Sequence, residues 1–339
     1  MQQQSSGRVA YLDVIRIVAT FGVIALHVFA TGYHTNVGTY NWYVSAIGDS
    51  LVRWSVPLFV MISGALFLQP AKEISYSILL RKYIPRLVLA YVFWSLSYSA
   101  VLSAGYIVQG RELRLGLLMP HFHLWYLPML MGVYLLIPLL RKIVTDEKLV
   151  RAALVLWLAY LTGYFCKFDM IPQIGILFRS NRNAIIGYVG YFLLGYYVSK
   201  RDVSRRQSVW IYILGALGAI VGIGGNIIMS YLKGEGDGYF LHNLGPHVIA
   251  MSLALFVFIK QTTPLIERKL ATFLDYVRKD LFGIYLTHAL WLMVITISPI
   301  RNLCNQLITL PSITIAIFVL SLYTTKAIRA IPLLRKTVE

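Results

Sequence analysis

The sequence predicts an all-α fold, a polytopic transmembrane bundle of about ten helices with both termini in the cytoplasm. Three observations predict it. Hydrophobic residues make up 58% of the 339 positions and charged residues only 13%, with a mean hydropathy of +0.67, well outside soluble-domain averages. Apolar runs near the roughly 20-residue length that a hydrocarbon core demands use up almost the whole chain. Lys and Arg cluster at alternating ends of those runs, about 22 on the side of the amino terminus and about 7 on the other, the positive-inside pattern. The formal charge of +17 is therefore an orientation signal and not a nucleic-acid footprint. Residues 1–339 read as one integral membrane domain with no appended soluble domain, in the cytoplasmic (inner) membrane of the cell.

Candidate spans fall near 9–31, 44–69, 81–106, 123–143, 148–166, 184–200, 208–231, 241–260, 281–300 and 308–330. The first carries Asp13, Arg16 and His27 within its apolar run, which also argues against a cleaved signal peptide. Ionisable groups inside a membrane helix are costly and normally face a bundle interior or a wet cavity. Arg16 and His27 are eleven residues apart, about three turns or roughly 16 Å along the axis, so they share a face. The span reads as one wall of a polar cavity.

The second span runs back toward the cytoplasm. It holds Arg53 in its outer half, near the depth of His27, then Pro57, and it ends at Phe59 to Gly64 with Ser63 near the depth of Arg16. Pro57 can bend the helix. Ser63-Gly64 has a packing reading, as small residues that let helices approach closely, beside a catalytic one for Ser63. A buried guanidinium at Arg53 needs a partner, because leaving it bare costs roughly 2.5 kcal/mol or more. At the start of the third span, Arg81, Lys82 and Arg86 lie within about one and a half turns, and Arg forks match phosphate geometry. Lys72, just before them, is explained by orientation alone.

The fourth span opens with His121, His123, Trp125 and Tyr126. Interfacial aromatics account for the latter two, but not for the histidines, and with no Cys or carboxylate beside them a metal site is not expected. Polar outer residues 167–183 offer a surface for a hydrophilic acceptor or an ordinary wet connection. Cys166 and Cys304 read as free thiols. Residues 187–195 combine glycines and tyrosines, the composition of a close-packed helix. Lys233 to Gly238 reads as an outer turn. In the ninth span, Tyr285 and His288 share a face roughly 10 Å from the cytoplasmic end.

Taken together, the chain resembles the acyltransferase-3 family of integral membrane acyltransferases, the group that includes bacterial surface-polysaccharide O-acetyltransferases. The resemblance rests on Arg16 followed by ten residues and His27, on the Phe59–Gly64 run, on Arg81, Lys82 and Arg86, on His123 to Leu127, and on Ile284 to His288. It implies transfer of an acyl group, most often acetyl, from cytoplasmic acyl-CoA to a hydroxyl of an extracytoplasmic glycan or polysaccharide. Family members often carry an extra periplasmic hydrolase-like domain. This sequence does not contain one, which implies one-step transfer.

In that reading His27 is the general base, Arg53 the oxyanion donor, and Ser63 and Arg16 further catalytic candidates, Arg16 being equally a partner for Asp13. Arg81, Lys82, Arg86, Tyr285 and His288 are expected to hold acetyl-CoA, and His121, His123 and Trp125 the acceptor. The competing class is a polytopic transporter or exporter of glycans or anionic metabolites, for which intramembrane Arg and His would line the substrate path.

Overall fold

The computed structural model describes residues 10–33, 35–70, 73–108, 121–166, 184–296 and 305–339. Lys72, the 167–183 segment and Cys304 lie outside these residues; Cys166 is an exposed free thiol. The described residues are helical, without strands. Twelve helices follow in order: α1 Ala10–Ala30, α2 Tyr40–Leu51, α3 Ser55–Phe67, α4 Ile84–Val108, α5 Tyr126–Leu135, α6 Ile137–Ile143, α7 Glu147–Phe165, α8 Ala184–Ser199, α9 Arg205–Lys233, α10 Pro246–Val277, α11 Leu281–Thr296 and α12 Gln306–Ala330.

Among the described residues seven helical segments are long and apolar enough to cross a membrane, and eight when α5 and α6, bent by 54°, count as one span. The protein is a multi-pass membrane protein. The expected ten differs from this number because α8 and α11 are shorter apolar helices, below the roughly 20 residues that a span requires. The eighth candidate span is longer than expected, since α10 continues through Pro264 to Val277.

Two predicted spans are broken, and the breaks matter for the site. The second divides at Val52–Trp54 into α2 and α3, so Arg53 sits at a turn inside the apolar stretch and Pro57 falls in the first turn of α3. Proline costs little there, because first-turn amides lack intrahelical partners anyway. The fourth divides at Leu136, just before Pro138.

At the head of α4 a π-turn, Leu79–Tyr83, closes with the Ile84 amide donating to the Leu79 carbonyl. A wider turn offsets the residues before it from those after. Arg81 and Lys82 thereby lose the i, i+4 register that would place Lys82 above Arg86.

α1 is the central helix, packing against α2, α3, α10, α11 and α12. Ile15 and Ala19 on it are fully buried. The closest crossing joins α3 to α8. A methyl group on Gly64 would come within 1.8 Å of the Phe192 carbonyl oxygen, and one on Gly195 within 2.0 Å of that of Met61. The two backbones touch, a small-residue contact of the kind that drives helix association where lipid offers no hydrophobic gain. This places Gly64 in packing and holds the neighbouring Ser63 at a fixed depth.

Candidate active site

Two cavities lie along the face of α1 that carries Arg16 and His27. The larger, about 560 Å³, is lined by Arg16, Ser63, Tyr83, Arg86, Arg278 and Lys279, among others, and by Glu339. That volume falls in the 300–1,000 Å³ range of small-molecule and cofactor sites. The smaller, about 200 Å³, is lined by His27, Arg53, His123, Trp125 and Asn243 among others. Phe59, Tyr126 and Tyr285 line both, so three aromatic side chains form the partition between them. Arg16 and His27, three turns apart on one helix, line different cavities, where the sequence suggests a single polar cavity.

The smaller cavity is built around a cluster of imidazoles. His27 stacks on His288, ring centroids 5.3 Å apart and planes 18° from parallel. His288 meets His123 edge to face at 5.0 Å, and Phe122 lies edge-on to His27 at 4.7 Å. Their orientation is set by the backbone. The Tyr285 hydroxyl donates to the His123 carbonyl at 2.5 Å. His288 Nδ1 is 2.6 Å from the Tyr285 carbonyl, and since a carbonyl only accepts, Nδ1 carries the proton and Nε2 a bare lone pair. That Nε2 is buried without a partner, as is Nε2 of His123. His121 Nδ1 lies 3.0 Å from His123 Nδ1, and the His121 ring stacks on Tyr98 at 4.3 Å.

Arg53 brings the positive charge. It forms an ion pair with Asp49, one turn earlier on α2 and almost completely buried. Two charges taken out of water together are tolerable only when paired. Asp49 thus answers the requirement that a buried guanidinium have a partner. Arg53 Nε has no partner and is buried. Arg16 pairs with Asp13 at 3.4 Å and lines the larger cavity.

The remaining candidates separate. Ser63 lines the larger cavity and donates to the Phe59 carbonyl at 3.0 Å. Tyr285 lines both cavities, whereas His288 lines neither and acts through its contacts with His27 and His123. Arg86 lines the larger cavity and donates to the Glu339 backbone carbonyl. Arg81 and Lys82 are exposed and line neither cavity. His123 and Trp125 line the smaller cavity, and His121 supports His123 from behind.

Phe59 and Tyr126 lie within two of the runs that carry the resemblance, but nothing in the sequence places them between two cavities, and nothing in it singles out Arg278 and Lys279. Asp49 could have been found from its i, i+4 spacing to Arg53. Among the described residues no group of three or more ligating side chains is arranged to hold a metal ion. The arrangement places an imidazole and a guanidinium in one cavity and four basic side chains in its neighbour, with three aromatic side chains shared between the linings. Residues 9–326 match the family described as an acyltransferase domain, Acyl_transf_3. No curated protein and no solved structure matches the chain.

Proposed function

The chain belongs to the acyltransferase-3 family, and from that premise we propose that it transfers acetyl from acetyl-CoA on the cytoplasmic side to a hydroxyl of an extracytoplasmic glycan. The observation that supports this reading is that Phe59, Tyr126 and Tyr285 line both cavities. A basic chamber suits an anionic carrier, and a neighbouring histidine-lined chamber suits the reacting ends, with the shared aromatics as the throat between them.

In this scheme CoA enters the larger cavity at the end bearing Arg86, and its pantetheine arm runs past Ser63. The thioester carbonyl passes the aromatic throat and comes to rest beside His27 and Arg53. The acceptor enters from the opposite face, against Trp125. An alcohol at its ordinary pKa is a poor nucleophile, so neutral His27 removes the hydroxyl proton as oxygen attacks the carbonyl carbon. The tetrahedral oxyanion is met by the Arg53 guanidinium, a charge already held in place by Asp49 and needing no reorganisation. Collapse breaks the carbon–sulfur bond. The imidazolium then returns its proton to the thiolate, giving ester and free CoA.

The test uses purified protein with acetyl-CoA labelled in its acetyl group and a panel of glycans. Free CoA released in step with labelled ester is the expected result. Translocation of glycan without consumption of acetyl-CoA would instead identify a carrier.

A further inference from the structure

The larger cavity has a cationic lining of which the sequence motifs account for only part, Arg16 and Arg86. Four of its lining residues are cations, Arg16, Arg86, Arg278 and Lys279, against a single acid, Glu339. Arg16 lies deep on α1 and pairs with Asp13. Arg278 and Lys279 belong to the tight turn between α10 and α11. Of the basic cluster at the head of α4, only Arg86 lines this cavity; Arg81 and Lys82, within the π-turn, do not.

The turn is held rigidly. Val277 before the pair and Leu281 after it are buried. Asp280, fully buried, is clamped from α12 by Lys326 at 3.0 Å and by Arg329. Its amide donates to the Val277 carbonyl at 2.9 Å, and its carbonyl accepts from the Ile284 amide at 2.8 Å, starting α11. Arg278 and Lys279 are thus the two residues that this anchored turn presents outward. Arg278 pairs with Asp275 through Nε at 3.2 Å, an ion pair without hydrogen-bond geometry, so its guanidinium fork can still take up another anion. Lys279 has no ion-pair partner among the described residues. Cations carried on an anchored turn beside an open cavity, one of them with no ion-pair partner among the described residues, are a binding arrangement, because the cost of ordering their backbone is already met.

We infer that Arg278 and Lys279, with Arg86, form the phosphate-reading end of the donor site, selecting a thioester carried on a phosphorylated nucleotide over bare pantetheine. This rests on the donor assignment proposed above and adds to it the residues that discriminate the carrier. The contrary account is that both are orientation charges that meet anionic lipid headgroups.

The experiment measures equilibrium binding of CoA, 3′-dephospho-CoA and pantetheine to the full-length protein in nanodiscs, with and without anionic lipid. The wild type is expected to bind CoA most tightly and pantetheine least. In Arg278→Ala/Lys279→Ala, CoA binding should weaken by about tenfold or more, the range for hydrogen bonds to charged groups. Pantetheine binding should be unchanged, and the loss should be the same in both lipid compositions. Arg205→Ala/Arg206→Ala, an exposed pair at the start of α9, should leave all three affinities intact and show that net charge is not the cause.

Retention of CoA affinity in the Arg278/Lys279 double variant would overturn the inference while leaving the donor reading standing. So would an equal loss for all three ligands, which marks damage to the fold, or a loss confined to anionic membranes. A wild-type protein that binds none of the three overturns the donor reading and the inference with it.

Discussion

An imidazole inside a membrane helix either satisfies a hydrogen bond of the bundle or does chemistry. His27 faces a cavity, with its ring held between Phe122 and His288 and a guanidinium lining the same space. A general base contributes about 10² to 10⁴ in rate. His27→Ala should therefore bind acetyl-CoA near normally, since the cations proposed to hold its phosphates line the other cavity, and lose transfer by that factor. Retention of more than about a tenth of the wild-type kcat would make His27 structural. The basic cluster divides in a similar way. Arg86→Glu should weaken donor binding and Arg81→Glu should not, because only Arg86 lines the cavity. Equal effects of the two reversals would mean that the π-turn does not separate them. Asp49→Asn probes the buried pair: removing one partner of such a pair costs about 3–5 kcal/mol, so a lower melting temperature and lower turnover should appear together.

At the scale of elements, the crossing of α3 and α8 sets the depth of Ser63 and one wall of the throat. A methyl group at Gly64 or Gly195 has only backbone to meet, and backbone cannot swing aside. Overpacking of this kind costs about 1–3 kcal/mol. Gly64→Ala and Gly195→Ala should each lower the melting temperature in detergent, while Gly224→Ala, where nothing lies within 4 Å, should be neutral or stabilising through helix propensity. Stability unchanged at Gly64 and Gly195 would show that the helices sit further apart. The glycine-tyrosine composition of α8 made close packing legible in the sequence, and the apolar runs made most spans legible. The breaks were not. Pro57 advertised a bend in the second span, yet the chain turns at Val52–Trp54 and the proline begins the new helix. α10 runs on past Lys260 through a stretch that is mostly exposed, with Thr263, Leu274 and Val277 buried, and no apolar run announced it. The shared face of Arg16 and His27 was legible from spacing alone. That Phe59, Tyr126 and Tyr285 line both cavities was not legible, since they come from three segments far apart in the sequence.

For the whole molecule, the reaction proposed here has a direction in space, and that direction rests on which end of the bundle faces the cytoplasm. The larger cavity opens beside Arg86, Arg278 and Glu339, and Arg16 near the start of α1 lines it too, so both ends of the described chain lie at the basic end. If Lys and Arg orient the protein as they do other membrane proteins, that end is cytoplasmic and meets the CoA pool, while the imidazole chamber faces outward. The connections at the two ends of α9 provide the sharpest check. This helix has 29 residues, about 43 Å at 1.5 Å per residue, more than enough to cross the hydrocarbon core. Its start follows a basic connection containing Lys200 and Arg201, and its end leads into Gly234 to Gly238. A reporter fused after Asp202 should be cytoplasmic and one fused after Gly236 external. Both on one side would mean that α9 does not span. The reverse assignment would put the basic cavity outside, away from cytoplasmic CoA, and the transfer scheme could not operate. With the expected orientation, proteoliposomes loaded with glycan on the Gly236 side should acetylate it only from acetyl-CoA supplied on the Asp202 side. Equal rates from either side would mean that the throat is not the route of the acyl group.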